Sequence, residues 1–222
     1  MPISVIIIAR NEEAHLPRLL ARLGEMPEIA QIIVSDGGSS DCTRKIARAA
    51  GAEVVEAKGR GRQLNVGAAM ATEEILWFLH ADCLPARSCG AQLSRAIKRG
   101  QVGGHFRLRF ESRSGWARLF ELVARVQAQL GVFYGDSGIY ATRRAFDELG
   151  GFEEWPLFED LDFARRVRRI GATATLPGRL SASARRFEKQ PCKTLLIWLE
   201  LQIRFDLKQS PEKLAHLYRE RF

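Results

Sequence analysis

The run ISVIII at residues 3–8 decides the fold class of this chain, because one serine lies among five β-branched residues. A continuous apolar run of this kind indicates a strand that is buried on both faces of a sheet. Three further strand-like runs follow at residues 31–35, 53–56 and 75–79, and residues 60–70 have a helical pattern. Strands that alternate with short helices predict βαβ units and a mainly parallel, Rossmann-like sheet flanked by helices.

The second half of the chain has a different pattern. Residues 105–110 alternate between basic and apolar side chains, which predicts a half-exposed strand in a small antiparallel addition to the sheet. An amphipathic helix is predicted from the spacing of Trp116, Leu119, Phe120, Val123 and Leu130. Residues 193–221 indicate two C-terminal helices that break at Ser210-Pro211, because proline suits the first position of a helix. The predicted fold class is therefore α/β with C-terminal helices.

The charge balance narrows the classes of partner. The 222 residues carry a formal net charge of +8, which suits nucleic acid, an anionic membrane surface or a phosphorylated small substrate, or only keeps the protein in solution. The sequence contains no zinc-finger spacing, basic zipper or aromatic RNA-binding motif, so nucleic acid is the least favoured of these partners.

Cysteine usage and hydropathy favour a cytoplasmic protein. Four cysteines, at positions 42, 83, 89 and 192, form no CxxC pair and have no histidine at zinc spacing, which is typical of reduced thiols. We expect no signal peptide and no membrane span, because charged residues interrupt the apolar stretch 195–207. Peripheral contact of residues 193–221 with the inner face of the membrane stays open, although packing against the domain is the favoured interpretation.

Polar clusters follow the predicted strands at the points where they end. Arg10-Asn11-Glu12 follows the first strand, Asp36 follows the second, and His80 and Asp82 follow the fourth. In open parallel sheets, ligands bind beyond the carboxyl ends of the strands. The sequence therefore predicts a ligand site at this edge, with Asp36, Asp82 and Asp160 gathered around one crevice.

Two of these acids have alternative interpretations. Asp36 stands in a glycine-rich turn, where its carboxylate could accept hydrogen bonds from a base or ribose or could equally well cap a helix. Asp82 suits a hard cation such as Mg²⁺ or Mn²⁺, which binds one or two carboxylates together with substrate phosphates. His80 would point to the same side if the strand continues, and it is either an additional Mn²⁺ ligand or a histidine that only ends the strand.

Further candidates lie in the second half and among the arginines. Glu159 and Asp160 are adjacent near a predicted helix start, where they are either capping charges or a general base whose pKa is raised by apolar neighbours. Four arginines could bind phosphates or could be ordinary surface charges: Arg60, Arg62, Arg185 and Arg186.

Four motifs in this order resemble the family 2 glycosyltransferases, which have the GT-A fold. The matching segments are residues 4–13, the loop 34–41, LHAD at residues 79–82, and GGF at residues 150–152 followed by Glu159-Asp160. The resemblance covers roughly residues 3–171, and it is greatest with a short bacterial branch that has LHAD in place of the DxD metal motif. His80 stands where the first aspartate of DxD is expected.

The resemblance implies a role for each matching residue. Asp160, or less favourably Glu159, would be the catalytic base, and Asp82 would bind Mn²⁺ or Mg²⁺ with His80 as an uncertain second ligand. The implied nucleotide-binding residues are Ala9, Arg10, Asn11, Glu12, Asp36, Arg62, Asn65 and His80. Residues 1–190 would form the GT-A domain, with a nucleotide-binding half up to about residue 85 and an acceptor half from residue 86, and residues 191–222 would be a helical appendage.

The implied function is an inverting transfer of a sugar from a UDP- or GDP-linked donor to an acceptor hydroxyl. The acceptor is not readable from the sequence, and a lipid-linked acceptor is among the options. Two alternatives stay open: a non-catalytic nucleotide-sugar-binding protein on the same fold, and a nucleotidyltransferase. The latter would normally show a glycine-rich phosphate loop, which residues 9–13 lack.

Overall fold

The computed structural model describes residues 1–112, 114–129, 131–182 and 190–221. The strands are β1 Ile3–Ala9, β2 Ile29–Asp36, β3 Glu53–Glu56, β4 Ile75–His80, β5 Leu84–Pro85, β6 Gly103–Phe110, β7 Tyr140–Thr142 and β8 Thr173–Ala182. The helices are α1 Leu16–Gly24, α2 Thr43–Ala49, α3 Arg60–Met70, α4 Cys89–Lys98, α5 Gly115–Gln129, α6 Arg143–Glu148, α7 Glu159–Ile170, α8 Pro191–Asp206 and α9 Pro211–Arg221. Leu130 and the predicted phosphate contacts Arg185 and Arg186 lie outside the described residues.

One sheet contains the strands of the described segments, in the order β3-β2-β1-β4-β7-β6-β8-β5. Strands β1 to β4 are mutually parallel, as the alternation of strands and helices predicts. Strand β7 is antiparallel to both β4 and β6, and β5 is antiparallel to β8. The predicted antiparallel addition is therefore confirmed in β7 and β5, but residues 105–110 do not form it, because they pair in parallel with β8 and only Gly103-Gly104 pair with β7.

The buried strand β1 separates two apolar layers. Ile3, Val5 and Ile7 contribute to a core with the leucines of α1, whereas Ile6 contributes to a core with α3 on the opposite face. The packing on the α3 face is tight, since a Cβ on Gly67 would lie 2.5 Å from Ile6 Cγ2. Because β1 lies between β2 and β4, a change to a polar residue here would bury an unpaired group.

A third apolar cluster joins the C-terminal helices to the rest of the protein. Ile197 and Leu201 of α8 and Leu214 of α9 pack with Phe158 and Leu161 at the start of α7. The predicted break between these helices is confirmed, since α9 begins at Pro211. In the described segments, no helix combines the length and the apolarity that crossing a bilayer would require.

Two local predictions need correction. Helix α1 begins at Leu16 after His15, so Asn11 does not cap it, and Asn11 instead has a left-handed backbone with φ of 55°. On α5, Trp116 and Leu119 are exposed rather than part of a buried stripe, and Phe120 is buried. His105, expected on the basic face of its strand, is also buried, where its ring stacks on Phe133.

Candidate active site

The carboxyl ends of β1, β2 and β4 lie side by side. Ala9 pairs with Asp36, and Ile8 pairs with His80. The buried Gln63 of α3 ties two of these ends together, because its Nε2 donates to the carbonyl of Ser35 at 2.7 Å and to that of Ala9 at 3.3 Å. Sequence reasoning missed Gln63, since a lone glutamine on a helix gives no signal of which carbonyls it reaches.

The Asp36 loop is held by its own hydrogen bonds. Asp36 is fully buried, and its Oδ2 accepts from the backbone N–H groups of Gly38 at 3.0 Å and Ser39 at 2.8 Å. The Ser39 hydroxyl donates to Asp36 Oδ1. Asn11 Oδ1 accepts from the Ser40 N–H at 2.9 Å, which joins the two loops. Asp36 and the exposed Asn11 therefore shape this edge of the sheet through their hydrogen bonds to the loop.

The other predicted nucleotide contacts lie around this loop. Glu12 donates its backbone N–H to Thr43 Oγ1 at 2.8 Å, and its Oε2 lies 2.9 Å from His15 Nδ1. Arg10 follows β1 directly, and Arg62 lies in the first turn of α3; both side chains are exposed. Ala9 is buried at the end of β1. This arrangement leaves two cations at the edge of the sheet within reach of an anionic ligand.

Asn65 has a structural role that the sequence did not reveal. Its Nδ2 donates to the carbonyl of Phe152 at 2.8 Å, and its Oδ1 accepts the Phe152 N–H at 2.8 Å. Both ends of the amide are thus used to hold the segment after Gly151 against α3. We therefore leave Asn65 out of the nucleotide site.

This role predicts a loss of stability in Asn65→Ala. Removing the amide leaves the N–H and carbonyl of the buried Phe152 unpaired, which costs about 1–3 kcal/mol. For a protein of this size we expect the melting temperature to fall by about 3–10 °C. Asn65→Asp, which retains an acceptor for the Phe152 N–H, should lose less, and an unchanged melting curve of Asn65→Ala would contradict the role.

Residues from three distant parts of the sequence meet around Arg60. Its Nε lies 2.7 Å from Glu159 Oε1, and its Nη2 lies 3.7 Å from Asp160 Oδ2. The same Nη2 lies 3.3 Å from His80 Nε2. The start of α3, the end of β4 and the start of α7 therefore converge. Arg60, predicted as a phosphate ligand, is the counter-ion of the two acids in this structure.

Asp160 is oriented by two backbone donors. Its Oδ2 accepts the Gly135 N–H at 2.7 Å, and its Oδ1 accepts the Leu161 N–H at 2.7 Å. A Cβ at Gly135 would lie 2.8 Å from His80 Nε2 and 3.2 Å from Asp160 Oδ2, so this position has no room for a side chain. A carboxylate has about four acceptor positions, so Asp160 can still accept a proton.

The backbone before these acids has an uncommon conformation. Phe158 precedes α7 with φ of 66°, a left-handed value that is unfavourable for a bulky residue. Its buried ring stacks on Phe205 of α8 with ring centroids 4.6 Å apart. Strained residues of this kind persist where the surrounding packing holds them, and they are concentrated at functional sites.

Glu159 is a buried acid with an imperfect partner. It has no exposed surface, and the Arg60 contact is an ion pair whose N–H is not aligned as a hydrogen bond. Burial raises the pKa of Glu159, and the charge of Asp160 raises it further, while Arg60 opposes both. The upward pKa shift that a buried setting was expected to cause is therefore found at Glu159.

Asp136 belongs to the same cluster and was missed in the sequence. It lies in a 3-10 turn at Gly135–Ser137. Burial, then the charges of Asp160 and Asp82, raise the pKa of Asp136 from 3.8 to about 7, against the lowering effect of Arg60. Asp82 and Asp160 therefore both act on Asp136. Its sequence context, Gly-Asp-Ser-Gly, indicates only a turn.

The raised pKa predicts that Asp136→Asn stabilises the protein at alkaline pH. Between about pH 4 and 7, Asp136 retains a proton in the folded protein that it has released in the unfolded chain. Its contribution to the free energy of unfolding therefore falls as pH rises and is lowest above about pH 7. The neutral amide avoids that loss. After allowance for partial exposure, we expect a gain of about 2 kcal/mol, or about 4–8 °C in melting temperature, at pH 8 in EDTA.

The pH dependence supplies the control for this prediction. At pH 4.5 Asp136 is protonated in the folded protein, so the same substitution should change the melting temperature by less than about 2 °C. Asp147→Asn, at an exposed acid on α6, should be neutral at both pH values. An equal shift at both pH values for Asp136→Asn would rule out the titration.

The metal-binding potential of the site rests on carboxylates. In the described part of the chain, no three His, Cys, Asp or Glu side chains are arranged to hold an ion by themselves. His80 Nε2 faces the Arg60 guanidinium, which donates to it and competes with a metal ion for the same lone pair. Asp82 and Asp136 are the acids of this cluster that make no ion pair among the described residues, and carboxylates are the hard donors that suit a divalent cation.

Carboxylates and arginines thus lie at the carboxyl ends of the parallel strands β1, β2 and β4, where open α/β sheets bind ligands, and the arginines suit an anionic one. The chain matches the profile described as Glycosyl transferase family 2 over residues 4–150, which is more than half of its length. The chain belongs to this family, and it has the GT-A fold.

A curated relative supports the same family. The 4,4'-diaponeurosporenoate glycosyltransferase of Staphylococcus haemolyticus is 39% identical over 89 residues. The matched stretch covers 36% of this chain and 24% of that protein. The match therefore spans about a quarter of the relative's length, and it carries no information on the substrate of this chain.

Solved structures share the fold at low sequence identity. The mannosyltransferase PcManGT from Pyrobaculum calidifontis, in complex with GDP-Man and Mn²⁺, has a TM-score of 0.69 and 17% identity over 96% of this chain and 68% of its own. TarS 1–349 of S. aureus has a TM-score of 0.66 and 17% identity over 83% of this chain and 61% of its own. Glucosyl-3-phosphoglycerate synthase from Mycobacterium tuberculosis, in complex with Mn²⁺, UDP and glucosyl-3-phosphoglycerate, has a TM-score of 0.61 and 22% identity over 82% of this chain and 70% of its own. These likenesses establish the fold alone.

Proposed function

We propose that the protein transfers a sugar, with inversion, from a nucleoside-diphosphate sugar to an acceptor hydroxyl. The observation that carries the proposal is the meeting of Arg60, His80 and Asp160 at the carboxyl edge of the sheet, with Asp82 acting on the same cluster through Asp136. Membership of a glycosyltransferase family supports the reaction class, and neighbours with UDP, UDP-GlcNAc and GDP-Man support the class of donor.

Asp160 is the general base of the proposed reaction. The acceptor oxygen forms a bond to the anomeric carbon while the bond from that carbon to the diphosphate oxygen breaks. The hydroxyl proton passes to Asp160, and the electron pair of the broken bond leaves with the diphosphate. Such a base typically contributes about 10²- to 10⁴-fold in rate. The two backbone N–H groups fix its orientation, so the acceptor meets a carboxylate that is already positioned.

Glu159 and Arg60 position the site in this proposal. Glu159 is too deeply buried to meet an acceptor, and its ion pair holds Arg60 beside Asp160 and His80. The guanidinium offsets the charges of the neighbouring acids. We therefore assign Glu159 as a positioning residue and Asp160 as the catalytic residue.

A divalent ion fits the acids of this site. Asp82 and Asp136 would hold it, because their oxygens suit Mg²⁺ or Mn²⁺, and because burial, then the charges of Asp160 and Asp82, raise the pKa of Asp136, which a cation would relieve. When bound, the ion would offset the negative charge that develops on the leaving diphosphate. Neighbours in complex with Mn²⁺ support this assignment. His80 then contacts Arg60, and it is no longer needed as a ligand.

The donor's nucleotide would lie along the β1–β2 edge. The exposed Arg10 and Arg62 are the cations that would contact its phosphates. Asp36 and Asn11 contribute by fixing the shape of the loop on which the nucleotide rests.

A thermal-shift panel of UDP-, GDP- and dTDP-sugars, with and without Mn²⁺, tests the proposal. A ligand that binds only the folded protein raises its melting temperature, by about 2.7 kcal/mol of stabilisation at one hundred times its Kd. The donor found in this way is then incubated with candidate acceptors. Release of nucleoside diphosphate supports transfer, pyrophosphate would indicate a nucleotidyltransferase, and binding without release would indicate a binding protein.

A further inference from the structure

Two helices present apolar side chains to the solvent. On α5, Trp116, Leu119, Leu122 and Val126 are 38–53% exposed, at a spacing that places them on one side of the helix. On α8 and at its end, Leu196, Leu199, Ile203 and Leu207 are 50–77% exposed and share one side in the same way. Exposed apolar residues scattered singly are ordinary, but two such stripes mark an interaction surface.

The two stripes belong to adjacent helices. Phe120 of α5 and Trp198 of α8 pack edge to face, with ring centroids 5.8 Å apart. Phe120 is buried and Trp198 is partly buried, so the helices meet through these two rings while the stripes are exposed to the solvent. We call this combined surface the α5–α8 face.

The charges on the α5–α8 face are unbalanced. The acids on the two helices are already paired with arginines: Glu121 with Arg109, Glu200 with Arg204 and Arg221, and Asp206 with Arg165. By contrast, the exposed Arg118, Arg125, Lys193 and Lys208 make no ion pair within the described residues. The face therefore offers unpaired positive charge beside apolar side chains.

We propose that the α5–α8 face binds the surface of an anionic lipid bilayer. Its apolar stripes would enter the boundary between headgroups and acyl chains, with Trp116 at the interface, and its four unpaired cations would contact anionic headgroups. The net charge of +8 favours the same partner. A second copy of this basic chain lacks that match in charge.

The face is connected to the candidate catalytic helix. Asp206 of α8 pairs with Arg165 of α7 at 2.7 Å, and Phe205 stacks on Phe158 directly before Glu159. Membrane binding would therefore hold α7 close to the bilayer. If the proposed transfer is correct, this placement suits an acceptor hydroxyl carried on a lipid.

Vesicle flotation tests the proposal without donor or acceptor. The full chain should float with phosphatidylcholine vesicles that contain phosphatidylglycerol and should dissociate as salt is added, because screening weakens the contact with headgroups. If the chain failed to float with these anionic vesicles, the proposal would be overturned. Self-association on gel filtration without flotation would instead assign the face to a second copy of the chain.

Matched charge variants locate the contact. Changing Arg118, Arg125, Lys193 and Lys208 to Gln should weaken binding at least about tenfold. The control changes four exposed cations on other helices, Lys45, Arg48, Lys98 and Arg99, and produces the same net charge. Equal weakening of the two variants would show that only net charge matters and would reject the face.

Two exposed cysteines provide a second readout. Cys192 lies on the α8 stripe, four residues before Leu196, whereas Cys42 lies next to α2. The two remaining thiols are buried, which raises the pKa of Cys83 well above its usual value and that of Cys89 to about 12, so both react slowly. An environment-sensitive dye on Cys192 in Cys42→Ser should brighten and shift to the blue with anionic vesicles.

The reciprocal protein, labelled at Cys42 in Cys192→Ser, is the matched control. Its dye should not respond, because Cys42 is not part of the α5–α8 face. A response at Cys42 without one at Cys192 would move the contact away from this face. Flotation needs no turnover, so its loss and the loss of transferase activity are separate results.

Discussion

Asp160→Asn is expected to lower turnover by at least about 10²-fold while donor affinity changes by less than about threefold. The amide cannot take a proton from the acceptor, although its size matches that of the carboxylate. The donor contacts that we propose lie on other residues, so binding should persist. Release of nucleoside diphosphate measures turnover, and calorimetry measures donor affinity.

The structure sets the controls for this variant. An amide directs an NH₂ group toward the N–H of either Gly135 or Leu161, so one hydrogen bond is lost and melting should be compared first. Asp162→Asn, two residues later in the same helix, removes only the partly exposed ion pair with Arg166 and should retain turnover. Normal turnover in Asp160→Asn would refute the assignment of the base.

Asp82→Ala is expected to weaken donor binding at least about tenfold in the presence of Mn²⁺ and to leave it nearly unchanged in EDTA. The variant lacks one of the two proposed carboxylate ligands, so the donor's diphosphate would lose the positive charge that the ion provides. Calorimetric titration with and without the ion measures both affinities.

Asp147→Ala is the matched control for Asp82→Ala, since it removes an exposed acid from α6. Its donor affinity should follow that of the unmodified protein in both buffers. If Asp82→Ala bound the donor equally well with Mn²⁺ present, the proposed metal site would have to be abandoned. A decrease that is the same in EDTA would indicate a direct contact with the donor instead.

Local sequence patterns predicted the first half of the fold well. β1 and its parallel neighbours were readable because buried parallel strands are continuous apolar runs, and helix α3 was predicted with the observed bounds, Arg60–Met70. The setting of β6 was not readable, because alternation reveals a half-covered strand but not the direction of its partner β8. Similarly, helical spacing located α5 but could not tell that Trp116 faces the solvent.

The candidate site was predicted only in outline. Strand ends indicated the edge of the sheet at which the candidate site is proposed, and Asp82 and Asp160 both act on Asp136 there. The third predicted acid, Asp36, lies at the same edge but is buried in its own loop. Asp136 and the pairing of Arg60 with Glu159 depend on tertiary contacts between distant segments. A sequence pattern records neighbours along the chain, so these contacts left no trace in it.

The stacking of Phe158 on Phe205 has a consequence for any attempt to shorten the protein. The left-handed Phe158 sets the direction in which α7 starts, and side chains of α8 and α9 cover that residue and Leu161. Truncation before residue 191 would uncover this pair and allow the backbone before Glu159 to relax. Helices α8 and α9 thus support the start of α7 from behind, and a shortened protein that retains the candidate site has to include them.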